Sequence, residues 1–209
     1  MDLVVTGVRH TILYRNRGDG KFEDVTAKAA IGSDDWSVGA AWLDYDNDGL
    51  LDLFVVNYLR WLPTLDPFCG DSDRKVRVYC HPRVFEGTAN QLYRNLGGGR
   101  FLDVSVSAGL AEHIGKGMAV SVADYDGDGF PDLFVTNDKI PNFLFHNLRN
   151  GRFEETAFEA GLALPDTGTE MSSMGTDFRD LNNDGLADVV LTALPAKPFR
   201  CSESRRSSV

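Results

Sequence analysis

The chain has 209 residues, 43% apolar and 11% aromatic, enough to build a packed core. A formal charge of −10 argues against nucleic acid or an anionic membrane surface as partner. No apolar run approaches the roughly 20 residues of a membrane-crossing helix.

The first residues, "MDLVVTGVRH", lack the basic start and apolar stretch of a secretion signal. Within them "DLVVTG" matches "DLFVVN" and "DLFVTN" further on, so Asp2 takes the slot of Asp52 and Asp132. On that match the chain is expected to begin inside an acidic loop, with any signal peptide lost upstream. Next comes "ILYRNRGDGKFEDVTAKAAI" (12–31), which aligns without a gap with "QLYRNLGGGRFLDVSVSAGL" (91–110) and "FLFHNLRNGRFEETAFEAGL" (143–162). Each copy predicts two short strands around a glycine-rich turn that accepts positive φ. The "RGD" at Arg17–Asp19 falls in one such turn, opposite "GGG" and "RNG", and is read as turn chemistry.

A third strand follows each copy. Val38, Ala40 and Trp42 are expected on one face, with counterparts Met118, Val120 and Val122, then Met174, Thr176 and Phe178. An acidic loop then leads into a fourth strand, "DLFVVN", "DLFVTN" or "DVVLTA", apolar on both faces and so expected between two layers. Four antiparallel strands per unit of about 50 residues match a blade of a β-propeller. The units run from about 10 to 57, 90 to 137 and 142 to 192, within a partial propeller covering 1–194. The fold class is all-β: an incomplete β-propeller of about three four-stranded blades. The segment 59–89 breaks the period and predicts a loop insertion on one face. Its Cys69 and Cys80 are expected to form a disulfide in an oxidising compartment; zinc is the rival, with His81 adjacent, but a fourth ligand is lacking. Tyr58 and Trp61, at its start, cap the insertion's own small core or stack on a partner. His146, in the slot of Arg15 and Arg94, is expected to be an ordinary surface residue. The last residues, 195–209, carry the remaining Cys201, show no strand pattern and predict a disordered tail.

The acidic loops carry the chemistry. In "DYDNDGLLD" side-chain oxygens fall at positions 1, 3, 5 and 9, and the carbonyl of position 7 adds another. The expected ligand sets are Asp44, Asp46, Asp48, Leu50 and Asp52; Asp124, Asp126, Asp128, Phe130 and Asp132; and Asp180, Asn182, Asp184, Leu186 and Asp188. Hard oxygen donors in that number suit Ca²⁺, and glycine at position 6 permits the sharp turn. Position 12 is Val55, Val135 or Leu191, where an EF-hand needs a bidentate acid, and the flanks are strands. Asn182 replaces an aspartate, so the third site is expected to be weaker. Three divalent ions would bring the formal −10 to −4. No nucleophile elbow, zinc-protease motif or phosphate loop is present.

The D-x-D-x-D-G-x-x-D loops between strands resemble the FG-GAP/VCBS repeats of integrin α-subunit propellers. The "LYRNxGxGxF" element, with a cysteine-bearing insertion after "VNYLRW", resembles the cartilage acidic protein family and its bacterial relatives. The resemblance spans residues 2 to about 194. It implies a secreted or surface-exposed calcium-binding propeller, usually seven-bladed, with no catalytic residues, of which this chain holds about half. The expected function is a non-catalytic, calcium-binding extracellular or periplasmic module that binds a protein or a glycan. The alternatives are a lectin-like propeller and an accessory domain of a secreted enzyme.

Overall fold

The structure is a computed structural model that describes residues 1–194 and the backbone of Cys201–Ser202, apart from the side chain of Leu65. The rest of the segment 195–209, with its expected disorder, lies outside the described residues. Strands β1 (Leu3–Gly7), β2 (His10–Asn16) and β3 (Phe22–Asp24) form the first sheet; one helical turn, Thr26–Ala29, follows. β4 (Ser37–Leu43) and β5 (Asp52–Asn57) form a hairpin around the first acidic loop. β6 (Gly70–Asp71) and β7 (Val76–Arg77) make a small hairpin in the insertion. β8 (Thr88–Ala89), β9 (Gln91–Asn95), β10 (Phe101–Asp103) and β11 (Ile114–Gly115) come next. β12 (Gly117–Ala123) and β13 (Asp132–Asn137) enclose the second acidic loop, and β14 (Phe143–Asn147) and β15 (Phe153–Glu155) complete that sheet. β16 (Ser173–Arg179) and β17 (Asp188–Ala193) enclose the third loop, and β18 (Cys201–Ser202) pairs with β17.

The architecture is all-β, an incomplete propeller, but its blades are out of phase with the sequence repeat. Setting aside two two-stranded pairs, the first sheet is followed by a second, β4-β5-β9-β10, a third, β12-β13-β14-β15, and a fourth, β16-β17-β18; the second and third have all four strands. Each blade therefore takes its inner two strands from one repeat and its outer two from the next. The hairpin loop fixes β4 on β5, and β5 then pairs antiparallel with β9, Phe54 opposite Leu92. Pairing within a sequence unit is replaced by pairing across its boundary.

Two of the fourth strands lie between layers, as their two-sided apolar pattern requires: β5 and β13 are buried at every residue, whereas β17 is buried only at Asp188 and Val189. Leu53 and Val55 face the first sheet, in a core with Leu13, Ile31, Tyr93 and Phe101. Phe54 and Val56 face the third sheet, with Leu92, Leu133, Val135 and Phe145. Phe134 and Leu144 face the fourth, with Phe178 and Val189.

The inner strands depart from simple alternation. The register of β4 on β5 shifts between Ser37 and Gly39, and β12 and β16 shift at the matching place. Two residues then oppose one, which reverses the facing of what precedes the bulge. Val38 accordingly packs toward the third sheet and Trp42 toward the first, on opposite faces rather than one shared face.

Candidate metal centre

Each acidic loop is folded by its own first aspartate. Asp44 Oδ1 accepts from Asp48 N at 3.0 Å and its Oδ2 from Gly49 N at 2.9 Å. Asp124 accepts from Asp128 N and Gly129 N at 3.0 and 2.9 Å, and Asp180 from Asp184 N and Gly185 N at 3.1 and 2.9 Å. Position 6 stands at φ 85°, 92° and 83° in Gly49, Gly129 and Gly185, a region that only glycine enters cheaply. The three loops thus share one conformation, and it turns positions 1, 3 and 5 toward one point. Asp44, Asp46 and Asp48 bring carboxylate oxygens within 4.8 Å of one another, as do Asp124, Asp126 and Asp128.

The carboxylates at position 9 stand beneath these clusters. Asp52, fully buried, accepts from Tyr45 N at 3.1 Å and Asn95 N at 2.7 Å. Asp132 accepts from Tyr125 N at 3.2 Å and Asn147 N at 2.8 Å. Burial pushes both up to about 6; the backbone donors pull the other way, and neighbouring Asp46 or Asp126 adds to the rise. Asp188 holds the same place, accepting from Leu181 N at 3.0 Å.

Basic side chains reach the first two loops from the next strand outward, Arg94 and His146 from the same repeat slot and Arg149 from the turn beyond it. Arg94 Nη2 lies 2.7 Å from Asp46 Oδ2 and 3.4 Å from Asp48 Oδ2. His146 Nδ1 lies 3.2 Å from Asp132 Oδ1 and 3.7 Å from Asp126 Oδ2, and Arg149 Nε is 3.3 Å from Asp128 Oδ2. His146 is therefore not the ordinary surface residue expected: antiparallel pairing of β13 with β14 carries its half-buried ring to the second loop. Its counterparts in the other two repeats are Arg15 and Arg94, so the slot carries a basic residue in all three.

Two oxygens in these clusters accept no hydrogen bond from the protein. Asp46 Oδ1 is buried and accepts no hydrogen bond; Asp128 Oδ2 is buried too and lacks one, despite Arg149 nearby. A buried charged acceptor left without a donor is costly. Three carboxylates in a tight cluster, of which Arg94 or Arg149 and His146 offset only part of the charge, offer hard oxygens that fit a divalent ion of the Ca²⁺ type. The third loop differs: Asn182 Nδ2 donates to Asp184 Oδ2 at 3.2 Å, so an amide supplies part of the compensation there. Asn47 Nδ2 also donates to Gly129 O at 3.0 Å, joining the first loop to the second.

The insertion leaves the opposite end of the same strands. Cys69 and Cys80 form a disulfide, with Cα atoms 5.2 Å apart. A bridge between Leu59 and Gly87 closes the insertion's base, and Lys116 Nζ donates to Pro82 O at 2.8 Å. Trp36 packs edge-on against Tyr58 and Trp61, with centroids 5.6 and 6.3 Å apart. Tyr58 OH donates to Asp138 Oδ2 at 2.7 Å, so these aromatics cap the base of the insertion. Phe68, Val76, Val78 and Val84 are more than half exposed and Tyr79 fully so. In the RGD turn, Asp19 Oδ1 accepts from Lys21 N, which occupies the carboxylate locally.

The FG-GAP-like repeat pattern matches three stretches of the chain, 1–55, 68–135 and 124–191. The chain is 29% identical over 168 residues to cartilage acidic protein 1 of Mus musculus, covering 80% of this chain and 23% of that protein. It is 36% identical over 88 residues to cartilage acidic protein 1 of Homo sapiens, covering 42% of this chain and 13% of that protein. The chain thus spans less than a quarter of the length of either relative.

Proposed function

The chain belongs to the FG-GAP-like repeat family, and from that premise we propose that it is a calcium-stabilised, non-catalytic binding module of an extracellular propeller. The observation that carries this reading is the pair of converging carboxylate clusters, each with a buried oxygen that accepts no hydrogen bond. Asp44, Asp46 and Asp48 would hold one ion and Asp124, Asp126 and Asp128 another, with the carbonyls of Leu50 and Phe130 in reach of the same loops. Asp52 and Asp132 brace the loops from below. Asp180, Asn182 and Asp184, with the carbonyl of Leu186, would form a weaker third centre that Asp188 braces from the same place. The ion supplies charge neutralisation; the loops' own hydrogen bonds supply the shape.

An extracellular setting is supported by the Cys69–Cys80 disulfide and by the cartilage proteins that the chain resembles. The exposed apolar residues of the disulfide-clamped insertion are the proposed contact surface, at the end of the sheets opposite the metal. A glycan platform on Tyr58 and Trp61 is less well supported, because both rings are engaged with Trp36.

The test is thermal unfolding followed by circular dichroism, in about 1 mM Ca²⁺ and in excess chelator, matching the weak extracellular class of sites. A melt that moves up with calcium and returns with chelator is expected. A calcium-blind melt would reject the metal and leave the loops as turns.

A further inference from the structure

The first two acidic loops lie on neighbouring sheets and are tied to each other twice. Asn47, the fourth residue of the first loop, stands at φ 56° between Asp46 and Asp48, a left-handed turn that asparagine tolerates. Its Nδ2 donates to Gly129 O at 3.0 Å. Gly129 is the sixth residue of the second loop, and its own N–H donates to Asp124 Oδ2 at 2.9 Å. One glycine is thus held by the first carboxylate of its own loop and by the side chain of the other.

The second tie runs beneath the carboxylate clusters. Tyr45, between Asp44 and Asp46, is buried, with its ring centroid 6.0 Å from that of Phe153. Its N–H donates to Asp52 Oδ2 at 3.1 Å, and its carbonyl accepts from Asn147 Nδ2 at 2.8 Å. Asn147 N donates in turn to Asp132 Oδ1 at 2.8 Å. The two carboxylates that brace the loops are therefore the ends of one hydrogen-bonded chain, Asp52 to Tyr45 to Asn147 to Asp132. The first tie is not repeated toward the third loop. The second loop has Gly127 where the first has Asn47, and glycine has no side chain with which to reach Gly185.

We propose, on the basis of the calcium reading above, that the first two loops bind calcium as a cooperative pair. Asn47 is the residue that couples them, and the third loop stands outside the pair. When Asp44, Asp46 and Asp48 close on an ion, Tyr45 and Asn47 are fixed, because they lie between those ligands in the chain. Gly129 and Asn147 are then held as well, and with them the backbone that presents Asp124 and Asp132. The second loop closes with less conformational entropy left to lose, which is positive coupling. By linkage the gain is equal in both directions. Repulsion between two cations works the other way, so the sign of the coupling discriminates between the two effects.

The test is a calcium titration of the full isotope-labelled chain, followed by nuclear magnetic resonance. The amide signals of Gly49, Gly129 and Gly185 report the three loops one by one. Gly49 and Gly129 are expected to shift together, over a narrower range of calcium than independent sites give, and Gly185 at higher calcium. Asn47→Gly keeps every ligand and suits the positive φ, as Gly127 does at φ 76° in the second loop. It should weaken the response of both Gly49 and Gly129 at least about fivefold, the low end of coupling between sites, and leave Gly185 unmoved. Asp126→Asn, at an exposed position of the second loop, should weaken the first loop too, and less so when Asn47 is already glycine. Separate midpoints for Gly49 and Gly129 in the unaltered chain would overturn the coupling while leaving calcium binding in place. So would an Asn47→Gly loss confined to Gly49, or an Asp126→Asn effect that is the same with and without Asn47, the mark of long-range charge alone. No response at any of the three glycines would overturn the calcium reading itself, and the coupling with it.

Discussion

Asp52 and Asp132 ionise against their surroundings, and that fixes how the protein should respond to pH. Both carboxyls titrate near 6 in the folded chain, against an ordinary value of 3.8. A folded-state value above the unfolded one means that the native state holds the proton more tightly. Their contribution to stability is then full below about pH 4 and is lost as pH rises through 6. At pH 7 both are charged and buried beneath other carboxylates, which is where an added cation stabilises most. The upward shift of the melting temperature produced by calcium should therefore be larger at pH 7 than at pH 5. Melts with and without chelator across that range check this; a shift that stays level through pH 6 would contradict it. The loop carboxylates were legible in the sequence because spacing alone turns alternate residues inward. The role of His146 was not, because the residue slot it shares with Arg94 gains meaning only when β14 is laid against β13.

At the scale of elements, the close joints are made by glycines, and one of them separates packing from conformation. A Cβ on Gly117, where β12 begins, would lie 2.4 Å from Val56 Cγ1 and 3.0 Å from Asn57 O. Gly117→Ala should cost about 1–3 kcal/mol through overpacking. Gly32→Ala, with nothing within 4 Å of the new methyl, should be close to neutral. Urea unfolding midpoints of the two variants decide the matter, and equal midpoints would place no weight on the β12–β5 contact. The strands themselves could be read from alternation and from two-sided apolar runs. The bulges could not: Val38 and Trp42 keep a two-residue spacing pattern in the sequence, and only the hydrogen-bond register shows that an extra residue has turned one of them over.

For the whole molecule, the insertion is an appendage on a layered core. None of the three buried clusters contains a residue from 60 to 88. Reducing the Cys69–Cys80 bond removes a constraint worth about 3 kcal/mol in the chain-entropy picture, but it should loosen the insertion alone. Limited proteolysis after reduction is expected to cut within 60–88 while the sheets persist as linked fragments; cuts spread along the chain would show that the insertion holds the layers together. The sequence repeat announced the propeller because its period is that of a blade. It was silent about phase, since nothing in a linear repeat says whether β5 pairs within its own unit or with β9 beyond the insertion. That phase bears on synthesis. As the chain leaves the ribosome, β5 emerges with both faces apolar and one edge open, and its partner β9 lies behind the whole insertion. With 33 residues between them and roughly 5–20 residues made per second, that strand waits about two to seven seconds for its neighbour. β13, with five residues before β14, waits about a second or less. Of these two fully buried strands, the longer unguarded interval falls on β5, while the cysteine hairpin is still being delivered.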